Sequence, residues 1–250
     1  MSEPMIQVRV QPPGGTIMLN RPDRRNALSR QLIARLSEAF DDLHQERKVR
    51  AVILTGAEPA FCAGMDLAEM RETCGDENPF PVWHDDALAY KELLETMLRF
   101  PKPIIAAVNG PAVAGGAGLV LASDLALAAP TARFGVPEPK RGLVAGIVSP
   151  LLNFRIGAAR SAELLLTGRL IEAERAAQYG IFHEIVEHDL LWARAQQIAG
   201  EIAESAPEAI QLTKRMLNET IGEHLGMLLS ATNSRPDRRD SAPVGIIRSR

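Results

Sequence analysis

Apolar residues recur along the chain with two different periods. Ile6, Val8 and Val10 alternate with Gln7 and Arg9, which predicts a strand. Thr16-Ile17-Met18-Leu19 predicts a second, with Pro12-Pro13-Gly14-Gly15 turning the chain between them. The period then lengthens. Leu32, Ile33, Leu36, Ala39, Phe40 and Leu43 share one helical face, and Ser29 supplies an N-cap, so a helix is expected to about His44. Residues 49–55 and 104–108 are short, largely apolar runs closed by Gly56 and Asn109, as in strands buried on both faces. A turn at 61–66 and a helix over 82–100 separate them. Residues 125–128 and 132–134 read as further short strands. From Val148 onward helical spacing dominates, in segments 151–156, 161–166, 172–179, 190–205, 207–218 and 221–231; only 182–186 interrupts as a strand. Strands alternating with helices, followed by helices alone, define an α/β core with a helical C-terminal region.

Composition narrows the function classes. A length of 250 residues allows one large domain or two small ones, and 46% apolar with 24% charged residues is an ordinary globular mixture. The net charge of −3 provides no basic field for nucleic acid, and seven Phe, two Trp and two Tyr offer little base-stacking surface. Cys62 and Cys74 make neither a disulfide framework nor, unaided, a zinc site. Met1-Ser2-Glu3-Pro4 carries no secretory leader pattern, so a cytoplasmic protein is expected. Residues 103–123 are uncharged, but Asn109, Pro111 and several glycines argue for a buried strand–loop–helix, not a membrane span. The stretch 233–250 differs from the rest: its five arginines and weak periodicity read as a solvated, basic tail.

Several catalytic patterns are missing. There is no G-x-S-x-G elbow and no Gly-Lys dipeptide, and Gly116-Ala117-Gly118 lacks the third glycine of a dinucleotide fingerprint. His183 and His188 are five residues apart, so they would not share a helical face as zinc ligands do. No metal site is expected.

Two glycine-containing turns remain, at 61–67 and 109–118, each following a buried strand and opening a helix. A helix start exposes backbone N–H groups and the positive end of the dipole. Two such turns side by side would aim two donors at one oxygen, the physics of an oxyanion hole; tight packing alone also accounts for glycines in such turns. A third segment is Phe134-Gly135-Val136-Pro137-Glu138-Pro139-Lys140-Arg141-Gly142-Leu143. Its Glu138 stands between two prolines, either as a surface-turn residue or as a fixed, partly buried carboxylate with a pKa raised toward acid–base duty.

Taken together these segments resemble the crotonase family of enoyl-CoA hydratases and isomerases. Residues 19–28, Leu-Asn-Arg-Pro-Asp-Arg-Arg-Asn-Ala-Leu, are similar to its opening signature. Residues 61–66 and 103–124 are similar to its two oxyanion turns and 134–143 to its catalytic-glutamate loop. Leu166-Thr167-Gly168-Arg169 and Ala177-Gln178-Tyr179-Gly180-Ile181-Phe182 resemble its later markers. The resemblance covers residues 5–230. It implies a stack of ββα turns as an acyl-CoA-binding catalytic core over 1–190. A helical oligomerisation region over 191–250 would follow, giving homotrimers or homohexamers. It implies an acyl-CoA thioester as substrate, with coenzyme A part of that substrate and no separate cofactor. The oxyanion amides would belong to Met65 and Gly115 and the catalytic carboxylate to Glu138. CoA contacts would lie near Arg24, Arg25, Ala63, Asp66 and Leu67. Asp66 has a plain alternative as a helix N-cap, and Arg24 and Arg25 as a solvated loop pair.

Two departures from the family pattern matter. Typical hydratases carry a first glutamate three residues after the second oxyanion glycine. Here that position is Gly118, which would leave a space beside the substrate where water could sit. Gly118-Leu119-Val120 and Ser149-Pro150 are similar to bacterial methylglutaconyl-CoA hydratase-like members, so an enoyl-CoA hydratase is expected. A single-glutamate 3,2-enoyl-CoA isomerase and a non-catalytic acyl-CoA-binding homologue are the alternatives. The tail 233–250 lacks the aromatic residue and lysine that help close the CoA pocket in family members, which puts closure from the C-terminus in doubt.

Overall fold

A computed structural model describes residues 3–75 and 78–219. In chain order the elements are β1 (Ile6–Gln11), β2 (Gly14–Leu19), α1 (Arg30–Gln45), β3 (Ala51–Gly56), α2 (Leu67–Thr73), α3 (Phe80–Arg99), β4 (Ile104–Val108) and β5 (Ala112–Val113). Then come α4 (Gly115–Ala122), β6 (Leu125–Ala128), β7 (Arg133–Gly135), α5 (Val148–Thr167), β8 (Leu170–Glu172), α6 (Ala173–Tyr179), β9 (Glu184–Ile185) and α7 (Leu191–Ala203). Residues 207–219 are helical as well. Segment 221–231 and the tail 233–250 lie outside the described residues.

The sequence pattern explains most of these boundaries. Ser29 Oγ accepts the Leu32 N–H at 3.1 Å and starts α1, whose six apolar positions are all buried. One expectation shifts. Gln11 pairs with Gly14, so only Pro12 and Pro13 turn the hairpin. Gly15 is a strand residue whose missing side chain leaves room for Leu43, 2.8 Å from where a Cβ would stand. The helices expected at 151–156 and 161–166 lie on two helical arms of α5, separated at a kink by Gly157, whose φ of 77° and ψ of 165° are not helical.

Six strands form the main sheet in the order β1-β2-β3-β4-β6-β9, parallel from β2 onward. Both faces are covered. Val52, Leu54, Ile104, Ala106 and Val108 enter the large core with α1 and α3. Ala51, Ile53, Ile105, Ala107 and Leu127 point the other way, onto Leu191, Ala195 and Ala199 of α7. Double burial is why these strands read as continuous apolar runs. Helix α7 therefore packs with the chain before residue 190. The helix over 207–219 is pinned by Lys214, whose Nζ lies 2.7 Å from Asp124 Oδ2 and donates to the Met97 and Lys102 carbonyls.

The site depends on a second row of short extended segments. After β2, β3, β4 and β6 the chain crosses to this row before entering its helix. The segments stack through parallel bridges Leu28–Met65 and Cys62–Ala112, then through β5 on β7, with β8 closing antiparallel. One strand in the sheet, one segment in the row and one helix make each layer, the ββα superhelix that the resemblance implies.

Candidate active site

The innermost contacts are between backbones. Ala63 donates its N–H to Arg25 O at 3.0 Å, Leu28 to Gly64 O at 2.8 Å, and Asp66 to Leu28 O at 3.0 Å. The buried Asn26 side chain braces this layer, donating to the Ala57 and Ala60 carbonyls at 2.7 Å and accepting the Arg21 N–H. In the next layer Cys62 donates to Pro111 O and Val113 to Cys62 O, and in the one after Ala114 donates to Gly135 O at 2.9 Å. Burial pushes the Cys62 thiol up to about 12, so it is a packing residue and no nucleophile.

These bonds bring the two glycine turns into contact. Gly64 has a φ of +90°, and a Cβ there would lie 2.7 Å from Ala114 Cβ and 3.1 Å from Gly115 N. Both demands exclude any other residue at low cost. Ala114 has φ 54° and ψ −120°, a conformation that a Cβ disfavours. Among the described residues neither Met65 N–H nor Gly115 N–H has a protein acceptor. Gly115 is the first residue of α4, so the helix dipole adds to its polarity. Two unpartnered donors on touching turns suit a carbonyl oxygen that gains negative charge.

Glu138 comes from the adjoining layer. Strand β7 runs parallel to β5 and ends at Gly135; Val136 and Pro137 lead into a single 3₁₀ turn, Glu138–Arg141, closed by Gly142 in the left-handed region. Glu138 Oε2 is buried without a hydrogen-bond partner among the described residues. Desolvation raises the pKa of the carboxyl; its own backbone N–H and the charge of Arg141 counteract this only in part. An under-satisfied carboxylate of raised basicity is suited to accepting and returning a proton.

The space expected beside Gly118 is not there. A Cβ on Gly118 would collide with Tyr90 Oη, and would meet Tyr90 Cζ and Val148 Cγ2 at 3.2 Å. Gly118 is buried beneath this tyrosine, so it does not line a substrate pocket and offers water no room. Tyr90 projects from α3, is itself buried, and donates from Oη to Gly115 O at 2.6 Å.

Asp66 is the N-cap of α2. Its Oδ1 accepts the Ala68 N–H and its Oδ2 accepts Arg21 Nη2, each at 3.0 Å. Burial works to raise this carboxyl, and these bonds hold it below the ordinary value. With both oxygens engaged the side chain acts as the helix cap that the sequence offered as its alternative role. Leu67 opens α2 and Ala63 precedes Gly64; both are half-buried. Arg24 and Arg25 are exposed, and among the described residues neither guanidinium has an ion-pair partner. His183 Nδ1 accepts the Ala126 N–H at 3.0 Å while His188 Nε2 faces Glu58 Oε1 at 3.0 Å, so the two histidines point to different partners.

The enoyl-CoA hydratase/isomerase family model matches residues 15–234. The chain belongs to the enoyl-CoA hydratase/isomerase family. Over 204 residues it is 43% identical to a putative enoyl-CoA hydratase of Thermus thermophilus, covering 80% of this chain and 79% of the relative. It is 33% identical over 210 residues to the 1,2-epoxyphenylacetyl-CoA isomerase of Escherichia coli, covering 81% and 78% of the two chains. A solved enoyl-CoA hydratase/isomerase from Xanthobacter autotrophicus Py2 superposes with a TM-score of 0.83 at 34% identity, over 93% of this chain and 85% of that one. The chain is thus an enzyme of the hydratase/isomerase family with the crotonase fold.

Within this hydratase/isomerase site, sequence reading missed Tyr90 and the bracing role of Asn26. A signal for the first was present: Gly115 and Gly118 are one turn apart on the same face of α4, cleared for a large neighbour. Tyr90 itself was hidden in the apolar stripe of α3 with Leu93, Leu94 and Met97, where an aromatic reads as core.

Proposed function

We propose that the chain is an enoyl-CoA hydratase that adds water to a 2-enoyl-CoA thioester with Glu138 as its only proton-transfer group. The supporting observation is the buried, unpartnered Oε2 of Glu138 on the layer next to the two free amides. The thioester oxygen would lie between Met65 N–H and Gly115 N–H. Ionised Glu138 takes a proton from water as the water oxygen bonds to C3. The C2–C3 π electrons move onto the thioester, whose oxyanion the amides stabilise. Glu138 then returns the proton to C2, leaving a 3-hydroxyacyl-CoA. One carboxylate acts first as base and then as acid, so no second is needed for balance. Exposed Arg24 and Arg25 would meet the CoA phosphates, since guanidinium forks suit phosphate geometry. Similarity at Gly118-Leu119-Val120 and Ser149-Pro150 favours a branched acyl group of the methylglutaconyl type.

A second reading, 3,2-enoyl-CoA isomerisation, is favoured by the filled space at Gly118. A carboxylate that moves one proton between C4 and C2 requires no water site. Paired assays of 2-enoyl-CoA hydration and 3-enoyl-CoA isomerisation decide between them. In Glu138→Gln, whichever reaction the enzyme performs should fall by roughly 10²–10⁴-fold with thioester binding kept. Equal activity in this variant would remove Glu138 from the chemistry. Thioester binding without turnover in the wild type would favour an acyl-CoA-binding protein.

A further inference from the structure

Tyr90 has no role in the reaction just described, yet it touches the part of the site that must be most accurately placed. Its ring lies over the first turn of α4: Cζ is 3.5 Å from where a Cβ on Gly115 would stand and 3.2 Å from the corresponding point on Gly118. Its hydroxyl donates to Gly115 O at 2.6 Å. On the opposite side of the turn, the Ala114 N–H is held by Gly135 O at 2.9 Å. Between these two bonds lies the strained peptide that presents the Gly115 N–H, with Ala114 at φ 54°. A disfavoured backbone conformation persists only where its surroundings fix it.

We propose that Tyr90 is a positioning residue of the active site: its hydroxyl clamps the Ala114–Gly115 turn so that the Gly115 amide faces the thioester oxygen, and it fills the space that a carboxylate on residue 118 would occupy. The clamp rests on the reading of Met65 and Gly115 as oxyanion donors. It accounts for the glycines at 115 and 118, since both are cleared for one ring. It also gives the site a single proton-handling group, because the phenol is neutral. Burial raises its pKa well above the ordinary tyrosine value, and the neighbouring Glu138 carboxylate acts in the same direction. The hydroxyl therefore stays a donor to Gly115 O at all working pH values.

The test uses Tyr90→Phe in the full chain, which keeps the ring and removes only the bond. Acetoacetyl-CoA is the probe, because a bound β-ketothioester whose oxygen is stabilised by the amides enolises and gains near-ultraviolet absorbance. The variant should keep its melting temperature and bind CoA thioester within about twofold. It should lose most of the enolate band and show kcat lower by about 10–100-fold, the scale of an ångström-level misplacement. Gly118→Ala, which pushes the same hydroxyl from the other side, should reproduce the loss. The double variant Tyr90→Phe/Gly118→Ala should be close to Tyr90→Phe alone, because without Oη the collision is gone and the new methyl meets only the ring Cζ and Val148 Cγ2 at 3.2 Å, tight contacts that a small shift relieves. A full enolate band and full kcat in Tyr90→Phe overturn the clamp. So does a loss of kcat matched by loss of thioester affinity and of melting temperature, which is what a core residue would give. If Tyr90→Phe does not fold, a full enolate band and full kcat in the folded Gly118→Ala variant overturn it, whereas a band lost in that folded variant supports it. Failure of the wild type to form the band with any β-ketoacyl-CoA would instead sink the oxyanion reading itself, and the clamp with it.

Discussion

Glu138 sits where its ionised form is least comfortable, and this has consequences for both rate and stability. Burial raises its pKa in the folded state above the value in the unfolded chain. Between those two values the folded protein holds more protons than the unfolded one, so stability falls as pH rises through that window. Glu138→Gln should therefore melt higher than wild type at neutral pH and show no difference near about pH 4, where both side chains are neutral. Thermal scans at the two pH values check the sign. Because the reaction begins with the ionised carboxylate, the acid limb of kcat should lie above the ordinary glutamate range and vanish with residual activity in the variant. At Gly115 a proline would delete the amide and should cost at least about 10²–10³-fold in rate. It is not a clean deletion, since the residue before proline favours ψ of about +120° to +160°, whereas Ala114 holds −120°. Gly64→Ala is expected to be as damaging for a different reason: its φ of +90° and the 2.7 Å approach to Ala114 Cβ would spread the two turns. For Arg24 and Arg25, reversal of both to Glu should weaken CoA binding most at low salt; unchanged affinity by calorimetry would leave them a solvated pair.

At the scale of elements, periodicity identified what is buried on a face and failed where structure is held by single contacts. The α1 stripe, the runs at β3, β4 and β6, and the α7 stripe were legible because both sheet faces are covered and each helix presents one apolar side. The short strands β5 and β8 have two and three residues, too few to show a period. The break at Gly157 was legible as the gap between the apolar runs at 151–156 and 161–166, which lie on the two arms of α5. The oxyanion turns and Glu138 were reached through family resemblance, since glycine or glutamate alone carries no address. The role of Tyr90 depends on a contact between α3 and α4 that no local pattern contains. One element-scale contact is also a stability device. Lys214 is buried against Asp124, and Asp124 Oδ2 also accepts the Ile104 N–H at 2.7 Å, so the helix over 207–219 is tied to the end of β4. Lys214→Ala should destabilise by about 1–3 kcal/mol, the cost of losing hydrogen bonds to a charged group while Asp124 keeps the Ile104 N–H. Adding Asp124→Asn should recover part of that loss in urea denaturation.

For the whole molecule, the surface says more than the core. Leu212, Met216 and Leu217 lie on the helix over 207–219 with 59%, 76% and 67% of their surfaces exposed. Grouped apolar exposure of this kind marks contact with another protein surface. The assembly that the resemblance implies, and that such a patch would serve, is a homotrimer or homohexamer. Light scattering should give three or six times the chain mass of 27.2 kDa. Leu212→Glu/Met216→Glu should shift the population toward monomer, and an unchanged mass would place the interface elsewhere. Among the described residues no helix is long and apolar enough to cross a membrane.

The stacked row of segments also sets an order of events in time. Leu28, Met65, Gly115 and Glu138 come from four successive layers, joined by parallel pairings that close long loops. Such pairings form slowly, because chain entropy is lost before the contacts reward it. Helices such as α1 and α3 need only local contacts. Refolding from denaturant should therefore restore the far-ultraviolet helix signal before it restores thioester binding. A nascent chain ending before β7 lacks both Glu138 and the Gly135 carbonyl that holds the Ala114 N–H, so the Gly115 amide is not yet fixed. The last layer thus delivers the carboxylate and the brace of the second amide together.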